Sequence, residues 1–183
     1  MRLSKFITTT LAIIGILLSS ACISYSGTGL VISSPDFTNG SVMPAKFTCK
    51  GNNVSPEIDW SGAPVNTKSY ALVMVDSDAP GGTFTHWIVY DMPKSMILLP
   101  THMSDLATII GGTKQGTNDF GKIGYSGPCP PAGETHSYVI TIYALDANLD
   151  LDPAVDVTRL IEVMEPRILE LASMTVTYST PTQ

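Results

Sequence analysis

The stretch from Val75 to Trp87 reads Val-Asp-Ser-Asp-Ala-Pro-Gly-Gly-Thr-Phe-Thr-His-Trp. It follows the apolar run Tyr70-Ala-Leu-Val-Met-Val75, whose length and composition are typical of a strand buried on both faces. The Pro and Gly residues at 79–82 predict a turn, and the apolar run that starts at His86 predicts the next strand. The stretch therefore predicts a hairpin that brings His86 back toward the two aspartates at the end of a buried sheet.

These three side chains, Asp76, Asp78 and His86, are candidate functional residues. Unpaired ionisable groups are costly at the end of a buried sheet, so their presence there requires partners or a function. The alternative interpretation is purely structural, an Asp-rich turn with a capping histidine. The hairpin alone leaves both interpretations open.

The rest of the chain predicts a mostly β protein. Short apolar pieces separated by Pro, Gly, Asn and Ser favour an antiparallel, Greek-key-like β-sandwich. These pieces lie at residues 30–33, 45–49, 58–60, 139–145 and 175–178. Residues 94–124 contain too many Gly and Asn residues for a helix and predict a long ordered surface loop. Two short helices are expected near the C-terminus, one from Arg159 to about Met164 capped by Thr158 and one from Pro166 to about Ala172.

The N-terminus has the features of a secretory signal peptide. Arg2 and Lys5 precede an apolar run at residues 6–18, and small residues follow up to Ala21. The small residues before Cys22 also resemble a lipobox, which predicts cleavage before Cys22 and its acylation. Ordinary cleavage after Ala21, which would leave Cys22 as a thiol, is the alternative. The expected organisation is a signal peptide at 1–21, a tether at 22–29 and one domain at 30–180, in a cell-envelope lipoprotein or a secreted or periplasmic protein.

The charge balance argues against two classes of partner. The chain has a formal net charge of −6, and removal of residues 1–21 takes away two of its ten basic residues and none of its sixteen acidic residues, which leaves −8. With no cluster of Lys or Arg remaining, the sequence argues against nucleic acid and against attraction to anionic lipid by surface charge. Contact with a membrane is expected only through the N-terminal lipid.

Cys49 and Cys129 form a candidate disulfide. If Cys22 is lipidated, they are the remaining pair, and an oxidising compartment favours their joining. Two separate buried thiols are the alternative, because the sequence does not show whether their Cα atoms lie close enough.

A second candidate site segment precedes the apolar run at 139–145. The loop Gly124-Tyr-Ser-Gly-Pro-Cys-Pro-Pro131 can present backbone N–H groups to a small anion without a lysine. His136 and Tyr138, two residues apart on a strand, are expected to lie on the same face. A lone histidine such as His136 is more often a structural residue than a ligand-binding one.

Taken together, the motifs resemble the phosphatidylethanolamine-binding protein family, also called Raf kinase inhibitor-like proteins. The matching pieces are Asp76-Ser-Asp-Ala-Pro80 with His86-Trp87, Asn118-Asp-Phe-Gly121, Gly124–Pro131, and His136-Ser-Tyr138 before Tyr143-Ala-Leu-Asp146. Phe47-Thr-Cys49 and Asn53-Val-Ser-Pro56 resemble its bacterial and archaeal branch. The resemblance covers nearly all of residues 30–180.

The resemblance implies a small pocket at the edge of the sandwich that takes phosphate, phosphoryl head groups or small carboxylates. The pocket residues that it implies are Asp76, Asp78, His86, Tyr125, Gly127, Pro130, His136 and Tyr138. Carboxylates beside the imidazoles would keep them charged to higher pH, and the aspartates would orient the imidazoles instead of touching the anion. Two residues depart from the family pattern, Ser77 in place of proline and Ser137 in place of arginine, and the second makes the rim less basic.

The resulting hypothesis is a non-enzymatic exported binding protein without a cofactor. Its candidate partners are a small anion or phosphorylated ligand, a protein target such as a kinase or protease, and a second copy of the chain. The alternative is a hydrolase that uses the same Asp and His residues for acid–base chemistry or holds a metal through His86, His136 and Asp76. The sequence has neither Gly-x-Ser-x-Gly nor His-Glu-x-x-His. A purely structural or stress-related role is a third interpretation.

Overall fold

The computed structural model describes residues 29–182, which form two antiparallel sheets. The strands are β1 (Val31–Ser33), β2 (Ile58–Ser61), β3 (Ser69–Asp76), β4 (Phe84–Pro93), β5 (Leu98–Leu99), β6 (Lys114–Gln115), β7 (Thr135–Leu145) and β8 (Ile168–Ser179). The smaller sheet has the order β1-β2-β5 and the larger sheet has the order β6-β4-β3-β7-β8. The mostly β, antiparallel fold predicted from the sequence is confirmed.

The larger sheet is buried on both faces. On one face, side chains such as Leu72, Met74 and Trp87 pack with Ile58 and Trp60 of the smaller sheet. On the other face, side chains of β3 and β4 pack against the C-terminal helix and the segment that precedes it. Strand β3, at the centre, is buried along nearly its whole length, as its continuous apolar run predicts.

The register of the larger sheet fixes which residues meet at its two ends. Asp76, the last residue of β3, pairs with Phe84 at the start of β4 and with Tyr138 near the start of β7. Ser69, the first residue of β3, pairs with Pro93. Because neighbouring strands are antiparallel, the C-terminal end of β3 and the N-terminal ends of β4 and β7 lie at the same end of the sheet. The chain therefore gathers residues from three separate segments at that end.

One helix, α1 (Val157–Met164), lies near the C-terminus. Its N-cap is Asp156, whose Oδ1 accepts a hydrogen bond from the backbone N–H of Arg159 at 2.8 Å. The predicted cap, Thr158, is wrong, because the helix begins one residue before it. Leu160 and Met164 face the sheet and are buried.

The second predicted helix, from Pro166 to about Ala172, is also wrong. A short 3₁₀ turn at Glu165–Arg167 leads directly into β8, which pairs with β7 from Leu145 back to Thr135. Residues 168–172 are Ile-Leu-Glu-Leu-Ala, and Leu, Glu and Ala are strong helix formers, so local sequence favours a helix there. Pairing along the whole of β7 outweighs that preference.

A disulfide joins Cys49 to Cys129, with a Cα–Cα distance of 5.4 Å.

The predicted apolar piece at 45–49 is a 3₁₀ turn at Ala45–Phe47 instead of a strand. The predicted loop at 94–124 contains only the short strands β5 and β6 and a turn at Ile110–Gly112. No peptide bond within residues 29–182 is cis, so Ser77 follows Asp76 in the trans form.

The predicted signal peptide, Cys22 and residues 22–28 of the tether lie outside the described residues. Within residues 29–182, no helix has the length and apolar character needed to cross a bilayer.

Candidate functional site

A cavity of about 180 Å³ opens where β3 ends and β4 and β7 begin. Its lining combines two histidines and a carboxylate with apolar walls. The lining residues are Asp76, Ala79, Pro80, Phe84, His86, Phe120, Cys129, Pro130, Pro131 and His136. Since a water molecule occupies about 30 Å³ in the liquid, the cavity holds a group of roughly six non-hydrogen atoms. This size suits a small anion or a head group and is below that of a pocket for a drug-sized ligand.

His136 lies between two carboxylates. Its Nδ1 is 2.7 Å from Oδ2 of Asp76, and its Nε2 is 3.2 Å from Oε2 of Glu134. Carboxylates accept hydrogen bonds, so this arrangement favours a ring with both nitrogens protonated. The hydrogen bond to Asp76, reinforced by Glu134, raises the pKa of His136 above its ordinary value although burial opposes the shift. His136 is thus the histidine of the cavity whose surroundings favour a positive charge.

His86 has a different environment. Its Nδ1 lies 2.6 Å from the carbonyl oxygen of Ser126, which accepts the hydrogen bond and leaves Nε2 as the other ring nitrogen. Burial lowers the pKa of His86, and the hydrogen bond to Ser126 and the charge of Asp76 only partly offset this. The expectation that carboxylates keep both imidazoles charged therefore holds for His136 and fails for His86, where burial is the larger effect.

Aromatic rings pack around His86. The rings of Phe84, Phe120 and Tyr138 lie 5.4, 5.3 and 5.2 Å from it, centroid to centroid, in edge-on arrangements. Tyr138 is fully buried, and burial raises the pKa of its hydroxyl. These contacts hold the His86 ring in one orientation and keep one wall of the cavity apolar.

The loop at 124–131 forms the opposite wall and is fixed at several points. The backbone N–H of Gly127 donates to Oδ1 of Asn53 at 2.8 Å, and that of Cys49 donates to the carbonyl of Pro128 at 3.1 Å. A Cβ atom on Gly127 would lie 2.0 Å from the carbonyl oxygen of Phe47, so only glycine fits. The disulfide adds a covalent tie at Cys129.

The structure brings together some of the predicted site residues and separates others. Asp76, His86, Pro130 and His136 line the cavity, and Tyr138 packs behind His86. Asp78 is exposed and accepts a hydrogen bond from the N–H of Ser137, which lowers its pKa. Tyr125 and Gly127 do not line the cavity, since the Tyr125 hydroxyl donates to the carbonyl of Phe47.

The two residues that depart from the family pattern contact each other. The N–H and the hydroxyl of Ser77 both lie within hydrogen-bond distance of the carbonyl of Ser137, at 3.1 and 3.2 Å. Together with the bond from Ser137 to Asp78, these contacts tie the start of β7 to the end of β3 beside the cavity.

Sequence reasoning missed four residues of this site. Phe84 and Glu134 each lie two residues before a predicted histidine on or next to the same strand, so the alternation of side chains was a usable signal. Phe120 and Asn118 lie in the Asn118–Gly121 motif. Asn118 is buried, and its Nδ2 donates to the carbonyl of Gly124 at 2.9 Å and to Oγ of Ser126 at 3.0 Å. Nothing in the sequence alone indicated this bridging role.

A metal centre was one alternative for these residues. Among the described residues, no group of three or more His, Cys, Asp or Glu side chains is arranged to hold a metal ion. Both ring nitrogens of His136 already have carboxylate partners.

Comparison with known sequences gives the family. The sequence model of the family described as phosphatidylethanolamine-binding protein matches residues 33–179. The chain belongs to this family. The resemblance inferred from the motifs is thereby confirmed, and the two histidines of the cavity lie within the matched region.

Individual members of the phosphatidylethanolamine-binding protein family agree with this assignment. A UPF0098 protein of Methanothermobacter thermautotrophicus is 39% identical over 138 residues, which cover 75% of this chain and 91% of that protein. A Mycobacterium tuberculosis protein named as a candidate lipoprotein, LppC, is 42% identical over 125 residues, covering 68% of this chain and 59% of that one. The crystal structure of Escherichia coli YbcL superposes with a TM-score of 0.77 at 30% identity and covers 82% of this chain and 98% of YbcL.

Proposed function

We propose that this chain is a non-enzymatic, exported binding protein whose cavity takes a small anion, such as phosphate, a phosphoryl head group or a carboxylate. The observation that carries the proposal is the contact between His136 and Glu134. The Glu134 carboxylate, half-exposed at the rim, lies 3.2 Å from Nε2 of the buried imidazole. Its oxygens stand in for those of an anionic ligand, which would form the same charge-assisted hydrogen bond.

The two histidines would have different roles in binding. His136, charged through its contact with Asp76, would attract the anion and donate a hydrogen bond to it. His86, neutral because of burial, would offer Nε2 as a directional partner, for example to a protonated oxygen of the ligand. The walls of Phe84, Phe120 and Pro130 exclude water and strengthen both interactions.

Two observations support export. The Cys49–Cys129 disulfide fits an oxidising compartment, and a relative carries the name of a candidate lipoprotein. We propose that the chain is a lipoprotein cleaved before Cys22, with the acylated cysteine as its membrane anchor. The mass of the native mature N-terminus tests this part of the proposal.

The binding proposal is tested by histidine NMR during titration with phosphate and, separately, with sulfate. The chain has three histidines, and His102 lies outside the cavity, so it is an internal control. We expect the signals of His86 and His136 to shift with one common affinity while that of His102 stays constant. Equal shifts of all three signals, or none, would contradict an anion site at the cavity.

A protein partner is part of the same proposal. A kinase or protease that presents a phosphorylated or acidic group could fill the cavity with that group. Capture from the native envelope by the wild-type protein, compared with the His86→Ala, His136→Ala double variant, tests it. A partner retained equally by both proteins would bind elsewhere on the surface.

A further inference from the structure

The segment at 95–113 is unusual in this acidic chain, because Asp105 is its only charged residue. Three of its large apolar side chains project into solvent: Ile97 is 64% exposed, Leu106 is 62% exposed and Ile110 is 89% exposed. Beneath them lies a groove of about 510 Å³ lined mainly by apolar residues, including Met96, Leu99, Met103 and Ile109. Apolar side chains concentrated in this way indicate an interaction surface.

Residues 96–97 and 110–111 of this segment lie at the end of the larger sheet that is opposite to the cavity, whereas residues 102–106 lie beside Gln115 and the loop at 124–131. The N–H of Met96 donates to the carbonyl of Pro93, the last residue of β4, and Gly111 lies against the Pro93 ring. Phe84, at the other end of β4, lines the cavity. Nine residue steps along a strand correspond to roughly 30 Å, so residues 96–97 and 110–111 are separated from the cavity by the length of the sheet.

A fourth exposed apolar residue lies at the same end. Val65, 84% exposed, is in the connection from β2 to β3, and its carbonyl accepts a hydrogen bond from Nζ of Lys94 at 3.0 Å. We call Val65, Ile97 and Ile110 the apolar end. Lys68 and Lys94, both exposed, lie beside Val65.

The described chain also begins at this end. The N–H of Leu30 donates to Oε1 of Glu170 at 3.0 Å. Glu170 pairs with Ala144, and Ala144 pairs with Tyr70, the second residue of β3. Leu30 is therefore level with the end of the sheet that carries Pro93. The seven residues at 22–28, even fully extended, span at most about 25 Å.

We propose that the apolar end docks on the membrane surface, with Val65, Ile97 and Ile110 entering the lipid head-group region. The proposal rests on the lipid anchor at Cys22, because that anchor and its short tether hold this end of the domain near the bilayer. Lys68 and Lys94 are placed to meet lipid phosphates.

This orientation has a consequence for the cavity. With the apolar end on the bilayer, the cavity opens roughly 30 Å away from it, by the rise per residue of β4. The anion would then come from the aqueous compartment or from another protein, and not from the head groups of the membrane that holds the chain.

The test uses the mature chain from residue 22 with Cys22→Ser, which has no acylation site. Its partition onto vesicles of phosphatidylcholine and phosphatidylglycerol is measured by flotation. We expect measurable binding that falls roughly tenfold or more in the Ile97→Asp, Ile110→Asp double variant, because two apolar side chains lose their transfer from water. The matched control is Val42→Asp, because Val42 is 68% exposed and bridges to Thr177 near the cavity, and this variant should bind as well as the parent chain.

Three results would overturn the proposal. These are no vesicle binding by the Cys22→Ser chain, an equal loss in the Val42→Asp control, and a dimer in solution that the double variant dissociates. The histidine NMR titration with sulfate, run on the same variants, shows that they remain folded. It also separates the two proposals, since the cavity can bind sulfate whether or not the apolar end binds lipid.

Discussion

The Nδ1 atom of His136 lies 2.7 Å from Oδ2 of Asp76, and both side chains are buried. The N–H of Asp78 donates to the other oxygen of Asp76, Oδ1, at 2.9 Å. One oxygen of the Asp76 carboxylate thus accepts a hydrogen bond from the turn that follows β3, and the other oxygen contacts the His136 imidazole. This pair raises the pKa of His136 and so favours a positive charge there, whereas burial lowers the pKa of His86.

The pair predicts how stability depends on pH. The pKa of His136 is raised in the folded state, so its contribution to the unfolding free energy is complete below the ordinary histidine pKa of about 6.5 and is lost as pH rises through the raised value. The difference in unfolding free energy between the wild-type protein and His136→Gln should therefore be largest in mild acid and shrink toward alkaline pH. Urea denaturation across this range measures it. A difference independent of pH would show that the imidazole is not charged in the folded state.

His86 should behave in the opposite way. Its pKa is lowered, so the stability associated with the neutral ring is present above about pH 6.5 and is lost as pH falls through the lowered value. In an NMR titration, the His86 ring should therefore change its protonation state at a lower pH than the His136 ring. Titration of His86 at or above the pH of His136 would contradict the desolvation argument.

Glu134 should compete with ligands. In the Glu134→Ala variant, an anion no longer has to displace a carboxylate from Nε2 of His136, and we expect sulfate to bind roughly two- to fivefold more tightly in mild acid, the range of an exposed ion pair. Sulfate is the preferred probe because its charge is constant over this pH range. Glu162→Ala, which removes an exposed glutamate from α1, is the matched control and should leave the affinity unchanged. Weaker binding in Glu134→Ala would mean that Glu134 assists the ligand.

Gly127 should not tolerate a side chain. A Cβ atom there would approach the Phe47 carbonyl to 2.0 Å and Oδ1 of Asn53 to 2.8 Å, so the loop at 124–131 must shift. We expect Gly127→Ala to lower the unfolding free energy by about 1–3 kcal/mol and to weaken sulfate binding. Gly81→Ala is the control, since a Cβ at Gly81 meets nothing within 4 Å. The midpoints of thermal unfolding of the two variants are compared, and equal midpoints would contradict the prediction.

The disulfide should contribute strongly to stability. It closes a loop with a sequence separation of 80 residues, for which the chain-entropy model gives about 4 kcal/mol. The Cys49→Ser, Cys129→Ser double variant should therefore unfold at markedly lower urea concentration, and a reductant should lower the midpoint of the wild-type protein but not that of the variant. Because Cys129 lines the cavity, sulfate affinity should fall as well.

The sequence predicted the centre of this protein well. The apolar run of β3 and the turn at 79–82 were sufficient to place Asp76 beside His86, because a hairpin leaves few alternatives. The position of His136 depends on the pairing of β3 with β7, which local sequence did not predict; the family resemblance implied only that His136 belongs to the pocket. Its second carboxylate, Glu134, was missed although it is only two residues away.

The errors occurred where tertiary contacts outweigh local preference. Residues 168–172 favour a helix by composition, yet they extend along β7 and form an edge strand. The pKa of His86 could not be inferred from nearby carboxylates, since its direction depends on how completely Phe84, Phe120 and Tyr138 exclude water. Burial of this kind is a property of the assembled sheet.

Under the proposed export, the pairing of β3 with β7 determines when the sheet can close. Ser69 pairs with Leu145, and Asp76 pairs with Tyr138, so the middle strand stays unpaired on one side until the distant β7 is available. Contacts so far apart in sequence form slowly. A chain passing N-terminus first through a secretion channel can therefore remain unfolded during transit, and its sheet closes only after Leu145 has emerged on the far side.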